Sequence, residues 1–260
     1  MCFDLDSEPP ITQMAGAAVD HLSLTLKASD GNEFRAFHAW PAQSTGRAIV
    51  ILPDVRGLHH YYEELAVRFA EIGVEALAID YFGRTAGTGP RGDDFDYGPH
   101  VAQVNWAGLQ ADIAGAAAFL RTAAPADAGH ASPSLFTIGF CMGGRSAFLS
   151  TTLGLGLAGG IGFYGFPSGA GRNDVPAPME RVDKIECPIL GIFGGADGAI
   201  PVATVHEFRD ALLAARLPNE IVVEPDAPHS FFDRKQEEFR TQSEDAWTRV
   251  RHFIEANAAA

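Results

Sequence analysis

Hydrophobic and polar residues alternate near the start of the chain and give way to continuous apolar runs further along. Leucines occupy every second position of residues 22–26, a turn sequence follows at 30–32, and apolar residues recur through 34–40. Period-two alternation on both sides of an Asp-Gly turn is typical of a β-hairpin. We therefore predict an antiparallel hairpin at the edge of a sheet.

Beyond this hairpin, apolar runs alternate with helical segments. Residues 48–52 and 76–79 are continuously apolar, and the segment 61–72 between them has helical spacing and ends at Gly73. The alternation continues with predicted strands at 135–138, 160–165, 188–193 and 220–224, and predicted helices at 99–121, 145–150, 202–216 and 236–256. Apolar strands that alternate with helices favour a parallel sheet covered on both faces. The prediction is an α/β fold of about eight strands, most of them parallel.

Length and composition favour one domain, which we place at residues 19–260. The chain has 260 residues, of which 47% are hydrophobic and 20% are charged, so a large core is available. Residues 1–18 contain prolines and acids without periodicity. They predict an N-terminal arm that lies over the domain surface or is partly disordered, and we assign it no function.

The net charge of the chain limits the classes of partner that we expect it to bind. A net charge of −14 disfavours nucleic acid and anionic membranes, because both attract basic surfaces. The three cysteines, at positions 2, 141 and 187, lack CxxC spacing, which fits a reducing compartment. The N-terminus has no basic segment followed by an apolar core, and no long apolar stretch appears later. We expect a soluble, unprocessed, cytoplasmic protein.

Candidate chemistry is concentrated at residues 137–145, which read TIGFCMGGR between a predicted strand and a predicted helix. A sharp strand-to-helix turn with glycines on both sides of a central nucleophile is the pattern of a nucleophile elbow. The central residue here is Cys141. The alternative is a glycine-rich turn around a buried, inert thiol.

Two further residues follow later strands. Asp197 lies in a glycine-rich turn at 193–198, and His229 lies in the segment 225–231. Taken alone, the aspartate could be a turn residue and the histidine a solvated side chain. The order nucleophile, acid, histidine is that of the α/β-hydrolases, and all three follow strands that should end at one edge of the sheet. The sequence therefore predicts a Cys-His-Asp triad.

These motifs resemble the dienelactone hydrolase family of the α/β-hydrolase superfamily. The similarity covers IVILPDVRGL at 49–58, IDYFGRT at 79–85, GFCMGGR, GFYG at 162–165, GGAD at 194–197 and HSF at 229–231. It implies an α/β-hydrolase fold and a triad that hydrolyses enol lactones such as dienelactone to maleylacetate. It also implies catalysis without a cofactor, in the breakdown of chlorinated aromatic compounds.

The resemblance assigns further roles around the nucleophile. The superfamily arrangement makes the N–H groups of Met142 and Val55 the oxyanion hole. Similar members carry a glutamate that controls the resting thiol where this chain has Asp54, which could instead be a turn residue after Pro53. Tyr164, within GFYG, is a candidate for substrate contact.

The resemblance also implies that arginines bind the substrate carboxylate. Arg84 matches the first of these, and a guanidinium suits bidentate pairing with a carboxylate. The second arginine usually lies four residues after the histidine. That position is Asp233 here, and Arg234 is the next residue. We expect a small anionic lactone or ester as substrate.

Alternatives from other classes have less support. Adjacent His59 and His60 point apart on a helix and lack HEXXH spacing, so we expect a solvated helix start and no metal site. No phosphate-binding glycine motif is present, so we expect no nucleotide cofactor. The remaining alternatives are a thiol carboxylesterase for other small esters and a ligand-binding module with a degenerate hydrolase site. An intact triad argues against the second.

Overall fold

A computed structural model describes residues 3–4, 6–92, 94–122 and 134–259. Its eight strands form one sheet in the order β1-β2-β4-β3-β5-β6-β7-β8. The strands are β1 (Val19–Lys27), β2 (Glu33–Pro41), β3 (Arg47–Leu52), β4 (Val74–Ile79), β5 (Ser134–Phe140), β6 (Gly159–Phe163), β7 (Ile189–Gly194) and β8 (Asn219–Glu224). β1 and β2 pair antiparallel at one edge, β2 pairs antiparallel with β4, and β3 to β8 run parallel. The predicted hairpin, strand number and mostly parallel sheet are confirmed.

Helices cover both faces of the sheet. They are α1 (His60–Glu71), α2 (Gly83–Ala86), α3 (Gly98–Val101), α4 (Trp106–Thr122), α5 (Met142–Ser150), α6 (Val202–Ala214) and α7 (Arg240–Asn257), with short 3₁₀ helices at Pro178–Lys184 and Glu237–Phe239. Successive side chains of β3 enter opposite cores: Ile49 and Ile51 pack on the side of α1, and Val50 packs on the side of α4. No helix in the described ranges is long and apolar enough to cross a membrane.

The helix predicted at 99–121 is two helices, α3 and α4, separated by residues 102–105. The side chain of Asn105 accepts a hydrogen bond from the Gly108 amide at 2.9 Å and so caps the start of α4. The Ala102 carbonyl, just after α3, accepts a hydrogen bond from the Asn173 side chain at 2.9 Å. The break therefore depends partly on a residue that is distant in sequence.

The N-terminal arm is packed against the domain through specific side chains. Phe3 is 1% exposed, Ile11 is 6% exposed, and both belong to the core on the side of α1. The expectation of a surface arm is therefore wrong for these two residues, because isolated apolar residues in a stretch without periodicity give no packing signal. Residues 1, 2 and 5 of the predicted arm, including Cys2, lie outside the described residues.

Candidate active site

Cys141 occupies the sharp turn between β5 and α5. Its φ of 54° and ψ of −111° are unusual for a residue with a side chain, and such a conformation costs about 1 to 3 kcal/mol. A Cβ atom on Gly139 would overlap the carbonyl of Gly143, and one on Gly143 would overlap the carbonyl of Leu52. The glycines on both sides are therefore required for β3, β5 and α5 to approach closely enough to form the turn.

The acid and the histidine lie in loops after neighbouring strands. Asp197 follows β7, His229 follows β8, and their Oδ2 and Nδ1 atoms are 2.7 Å apart. The other carboxylate oxygen of Asp197 accepts hydrogen bonds from the amides of Ala199 at 2.8 Å and Ile200 at 3.2 Å. This places a carboxylate, an imidazole and the elbow cysteine at the carboxyl edge of the sheet, as the sequence predicts.

The environment of Asp197 favours its ionised form. Burial alone would raise the pKa of this carboxyl group, but the hydrogen bond and positive charge of His229, together with the two amides, lower the pKa below its usual value. An ionised Asp197 accepts a hydrogen bond from the Nδ1–H group of His229. Nε2 is then the nitrogen that can accept a proton from a nucleophile.

A cavity of about 260 Å³ opens at the nucleophile. It is lined by Val55, Cys141, Met142, Arg145, Phe166, Ala170, Gly171 and Arg172. The ring of His229 packs 5.9 Å from that of Phe166, in the cavity wall, and 4.8 Å from that of Tyr164. The histidine therefore lies directly behind one wall of this cavity, which we call the cysteine cavity.

Two residues that line the cysteine cavity are candidates to donate backbone hydrogen bonds there. Met142 is the first residue of α5, and the first amides of a helix have no carbonyl partner within that helix. Val55 lies in the loop after β3, where Asp54 closes a turn by accepting hydrogen bonds at its carbonyl from Gly57 and at its carboxylate from Arg56. Both residues line the cysteine cavity, so their amides could serve an oxyanion that forms there.

The side chain of Asp54, which is part of this loop, is buried. It is 1% exposed, and its amide donates to the hydroxyl of Tyr62 at 2.9 Å. Its Oδ2 atom and the hydroxyl of Tyr164 are both buried without a hydrogen-bond partner among the described residues. Burial raises the pKa of Tyr164 well above its usual value, and electrostatic coupling to Tyr61, Cys141 and Asp54 adds to this shift. Asp54 and Tyr164 therefore share the electrostatic environment of the nucleophile.

The two arginines expected to bind a carboxylate are engaged elsewhere. Arg84 pairs with Asp112 at 2.8 Å and with Asp30 at 2.6 Å, beside α4. Arg234 is 43% exposed and pairs with Glu8 on the N-terminal arm. Neither arginine is among the described residues that line the cysteine cavity.

Arg145 supports the cavity in a way that the sequence analysis missed. Its guanidinium donates hydrogen bonds to the carbonyls of Ser168, Gly169, Val175 and Pro176, at 2.9 to 3.3 Å. Burial lowers its pKa. These bonds fix the loop that carries Ala170, Gly171 and Arg172. The only sequence signal was an arginine within the elbow motif, at the start of the predicted helix 145–150.

A second cavity, of about 400 Å³, also borders the loop after β3. It is lined by Arg35, Arg56, Leu58, His59, His60, Glu63, Pro90, Arg91, Gly92, Phe95 and Tyr97, and we call it the arginine cavity. Two of its arginines already have acidic partners at 2.8 Å: Arg35 pairs with Glu63, and Arg91 pairs with Asp80. The cavity thus concentrates cationic side chains in an acidic protein.

Two nitrogen atoms of residues that line the arginine cavity are buried and make no hydrogen bond in the described chain. They are Nη1 of Arg56 and Nε2 of His59. The nearest carboxylate to that His59 nitrogen is Asp54, at 3.8 Å. His59 is 8% exposed and α1 begins only at His60, so the expected solvated helix start is wrong for His59. The ring of His59 packs against those of Tyr62, at 4.9 Å, and Tyr61, at 6.3 Å.

Comparisons with known proteins point to one family of hydrolases. The profile of the dienelactone hydrolase family matches residues 34–257. A protein of Escherichia coli (strain K12) named "Putative carboxymethylenebutenolidase" is 30% identical over 233 residues, which cover 85% of this chain and 82% of that protein. The carboxymethylenebutenolidase of Rhodococcus opacus is 27% identical over 261 residues. This match covers 98% of this chain and 96% of that protein.

Solved structures show the same fold. The crystal structure of a putative dienelactone hydrolase from Klebsiella pneumoniae subsp. pneumoniae MGH 78578 superposes with a TM-score of 0.78 and 27% identity. The match covers 91% of this chain and 98% of that one.

Proposed function

This chain belongs to the dienelactone hydrolase family and is a carboxylic ester hydrolase, and we propose that it opens a small lactone through a thiol acyl-enzyme on Cys141. One observation carries the proposal. Cys141 is held in a strained elbow at a cavity whose wall packs against a histidine that is hydrogen-bonded to a buried aspartate. This arrangement supports nucleophilic catalysis with His229 as the base.

The reaction follows from the positions of these groups. His229 Nε2 takes the proton of Cys141, and the thiolate forms a bond to the lactone carbonyl carbon. The N–H groups of Met142 and Val55 donate to the resulting oxyanion. When the intermediate collapses, the ring C–O bond breaks and His229 returns the proton to the leaving oxygen. Water, activated by His229, then hydrolyses the thioester, while Asp197 stays ionised.

The two described cysteines differ in suitability as nucleophiles. Burial, with a smaller contribution from Glu186, raises the pKa of the Cys187 thiol to about 12, so this residue stays protonated at neutral pH. A protonated thiol is a poor nucleophile. Of the two, only Cys141 lines the cavity whose wall residue Phe166 packs against His229, which supports its role.

An anionic lactone such as dienelactone is the substrate we infer, with maleylacetate as product. The names of the relatives support this class, and the net charge of −14 means that recognition must be local. Arg84 and Arg234 have acidic partners, whereas Arg172 lines the cysteine cavity and has no acidic partner in the described chain. We assign recognition of the substrate carboxylate to Arg172, which shares that cavity with Cys141.

A thiol carboxylesterase for neutral esters is the second candidate. Val55, Met142 and Phe166 give the cysteine cavity an apolar lining that would accept an uncharged acyl group. A ligand-binding module with a degenerate site has less support, because the hydrogen-bonded pair of His229 and Asp197 is intact.

Kinetics with matched substrates separate these candidates. We expect Cys141→Ala to abolish hydrolysis of both dienelactone and p-nitrophenyl acetate, and mass spectrometry to detect an acyl group on Cys141 in the parent enzyme. Arg172→Gln should raise KM for dienelactone about tenfold and leave the neutral ester unchanged, since it removes a charged hydrogen-bond donor. Arg209→Gln, on the exposed surface of α6, is the control. Equal effects of Arg172→Gln on both substrates would favour the carboxylesterase.

A further inference from the structure

The N-terminal arm reaches the aromatic cluster behind the catalytic histidine. Phe3 is 1% exposed, and its ring stacks on that of Tyr61 with centroids 4.1 Å apart and planes inclined by 25°. The same ring meets Tyr164 edge-on at 6.2 Å and Phe140, at the end of the elbow strand, at 6.0 Å. One residue of the arm thus contacts groups that surround the nucleophile and its base.

Two neighbours of Phe3, Tyr61 and Tyr164, contact the loop that carries His229. We define this loop as residues 225–236 and call it the histidine loop. The hydroxyl of Tyr61 donates a hydrogen bond to the carbonyl of Phe232 at 2.6 Å. The ring of Tyr164 packs 4.8 Å from that of His229. Removing the Phe3 ring would leave space beneath both contacts, and close-packed cores do not tolerate such a void without rearrangement.

The backbone of the arm also binds the histidine loop directly. The amide of Arg234 donates to the carbonyl of Glu8 at 2.8 Å, and the amide of Glu8 donates to the carboxylate of Asp233 at 3.1 Å. Side-chain ion pairs join Arg234 to Glu8 and Lys235 to Asp6. The arm and the loop are therefore tied at both backbone and side-chain level.

The histidine loop needs such external support. Asp226 has a φ of 57° and Ser230 a φ of 60°, so two residues with side chains adopt left-handed conformations on either side of His229. These conformations are unfavourable for residues other than glycine and persist only when surrounding contacts impose them. The arm supplies several of the contacts at the C-terminal end of this loop.

We propose that the N-terminal arm is a positioning element for catalysis, in which Phe3 and the Glu8 segment hold the histidine loop so that His229 is directed at Cys141. This inference rests on the proposed function, because it takes His229 as the base that activates the thiol. In this role Phe3 and Glu8 act through Tyr61, Tyr164 and the histidine loop, and not directly on the substrate. Their effect is on the orientation of the base, and small errors of orientation reduce rates strongly.

The test compares full-length variants at a temperature where circular dichroism shows each to be fully folded. Phe3→Ala should lower kcat about tenfold or more with little change in KM, shift the pH profile of kcat/KM, and slow alkylation of Cys141 by iodoacetamide. Phe3→Leu keeps an apolar side chain and should restore part of the rate. Met14→Ala, at an arm position that is 50% exposed, is the matched control and should match the parent protein.

A second variant keeps the proposal testable if Phe3→Ala fails to fold. Glu8→Gln leaves the core intact and removes the ion pair with Arg234, so it should lower kcat and weaken the dependence of kcat on salt concentration. Unchanged kcat, pH profile and alkylation rate in folded Phe3→Ala, or in Glu8→Gln when Phe3→Ala does not fold, would overturn the role of the arm. Full activity of Cys141→Ala would instead overturn the proposed function, whatever the arm variants show.

Discussion

Nδ1 of His229 lies 2.7 Å from Oδ2 of Asp197, although the two residues are separated by 32 positions in the chain. The contact arises because β7 and β8 are parallel neighbours, so the loops that follow them leave the same edge of the sheet. The amides of Ala199 and Ile200 hold the second oxygen of Asp197 and thereby fix the direction of its carboxylate. A rigid acid therefore selects both the tautomer and the orientation of the imidazole.

We predict that Asp197→Asn lowers kcat by about 10² to 10⁴, because an amide can donate to Nδ1 and so favour the wrong tautomer of His229. The pH profile of kcat/KM, with melting temperature as a check on folding, measures the effect. Asp226→Asn is the matched control, since Asp226 is exposed in the same region and asparagine tolerates its positive φ. Similar losses in both variants would contradict the assignment of Asp197.

We also predict that iodoacetamide at neutral pH inactivates the enzyme by labelling Cys141. Cys187 should not react, because its pKa of about 12 keeps it protonated. Peptide mapping by mass spectrometry identifies the labelled residue. Cys187→Ala serves as control and should be inactivated at the parent rate. Inactivation accompanied by label on Cys187 alone would show that the elbow thiol is not the nucleophile.

Glycine at the elbow is the subject of a third prediction. A Cβ atom on Gly143 would overlap the carbonyl of Leu52, so Gly143→Ala must push β3 and α5 apart. We expect the free energy of unfolding to fall by about 1 to 3 kcal/mol or more. We also expect kcat to fall by more than the unfolded fraction of the variant explains. Gly89→Ala, in a loop where nothing lies within 4 Å of the added atom, should change neither. Denaturant unfolding measures the change in stability, and kcat at saturating substrate measures the change in activity.

The elbow, the number and mostly parallel direction of the strands, and the acid and histidine could be predicted because each depends on a local pattern: glycine spacing, apolar runs and turn residues. The partners of Arg84 could not, because Asp30 and Asp112 come from segments on either side of it that only the fold brings together. Phe3 was missed for a related reason. One aromatic residue in a stretch without periodicity carries no sign of the pocket that receives it.

The same limit applies to long-range breaks in regular structure. The pattern of 99–121 is compatible with one helix, and the separation of α3 from α4 involves Asn173 from the loop after β6. Sequence patterns describe how a segment interacts with the interior on average. They do not specify which distant side chain will satisfy a particular carbonyl group.

A fourth prediction concerns Arg84, whose contacts favour a structural role. Burial raises the pKa of Asp112 to about 6, against hydrogen bonding from Asn32 and the charge of Arg84, which lower it. A carboxyl group with a raised pKa binds its proton more tightly in the folded state. Folding stability therefore falls as pH rises from the usual value near 3.8 to about 6, and it stays low above that.

Arg84→Gln removes the main positive charge next to Asp112 and should raise this pKa further. We expect the variant to lose little stability at pH 4, where Asp112 is protonated in both proteins, and about 1 to 3 kcal/mol at pH 8, where a buried carboxylate has lost its partner. Melting curves at intervals between these pH values give the difference. Arg209→Gln, which breaks an exposed pair with Asp210, should cost under about 1 kcal/mol at every pH. If Arg84→Gln instead melts like the parent protein and raises KM for dienelactone but not for a neutral ester, Arg84 leaves its acidic partners to bind the substrate carboxylate.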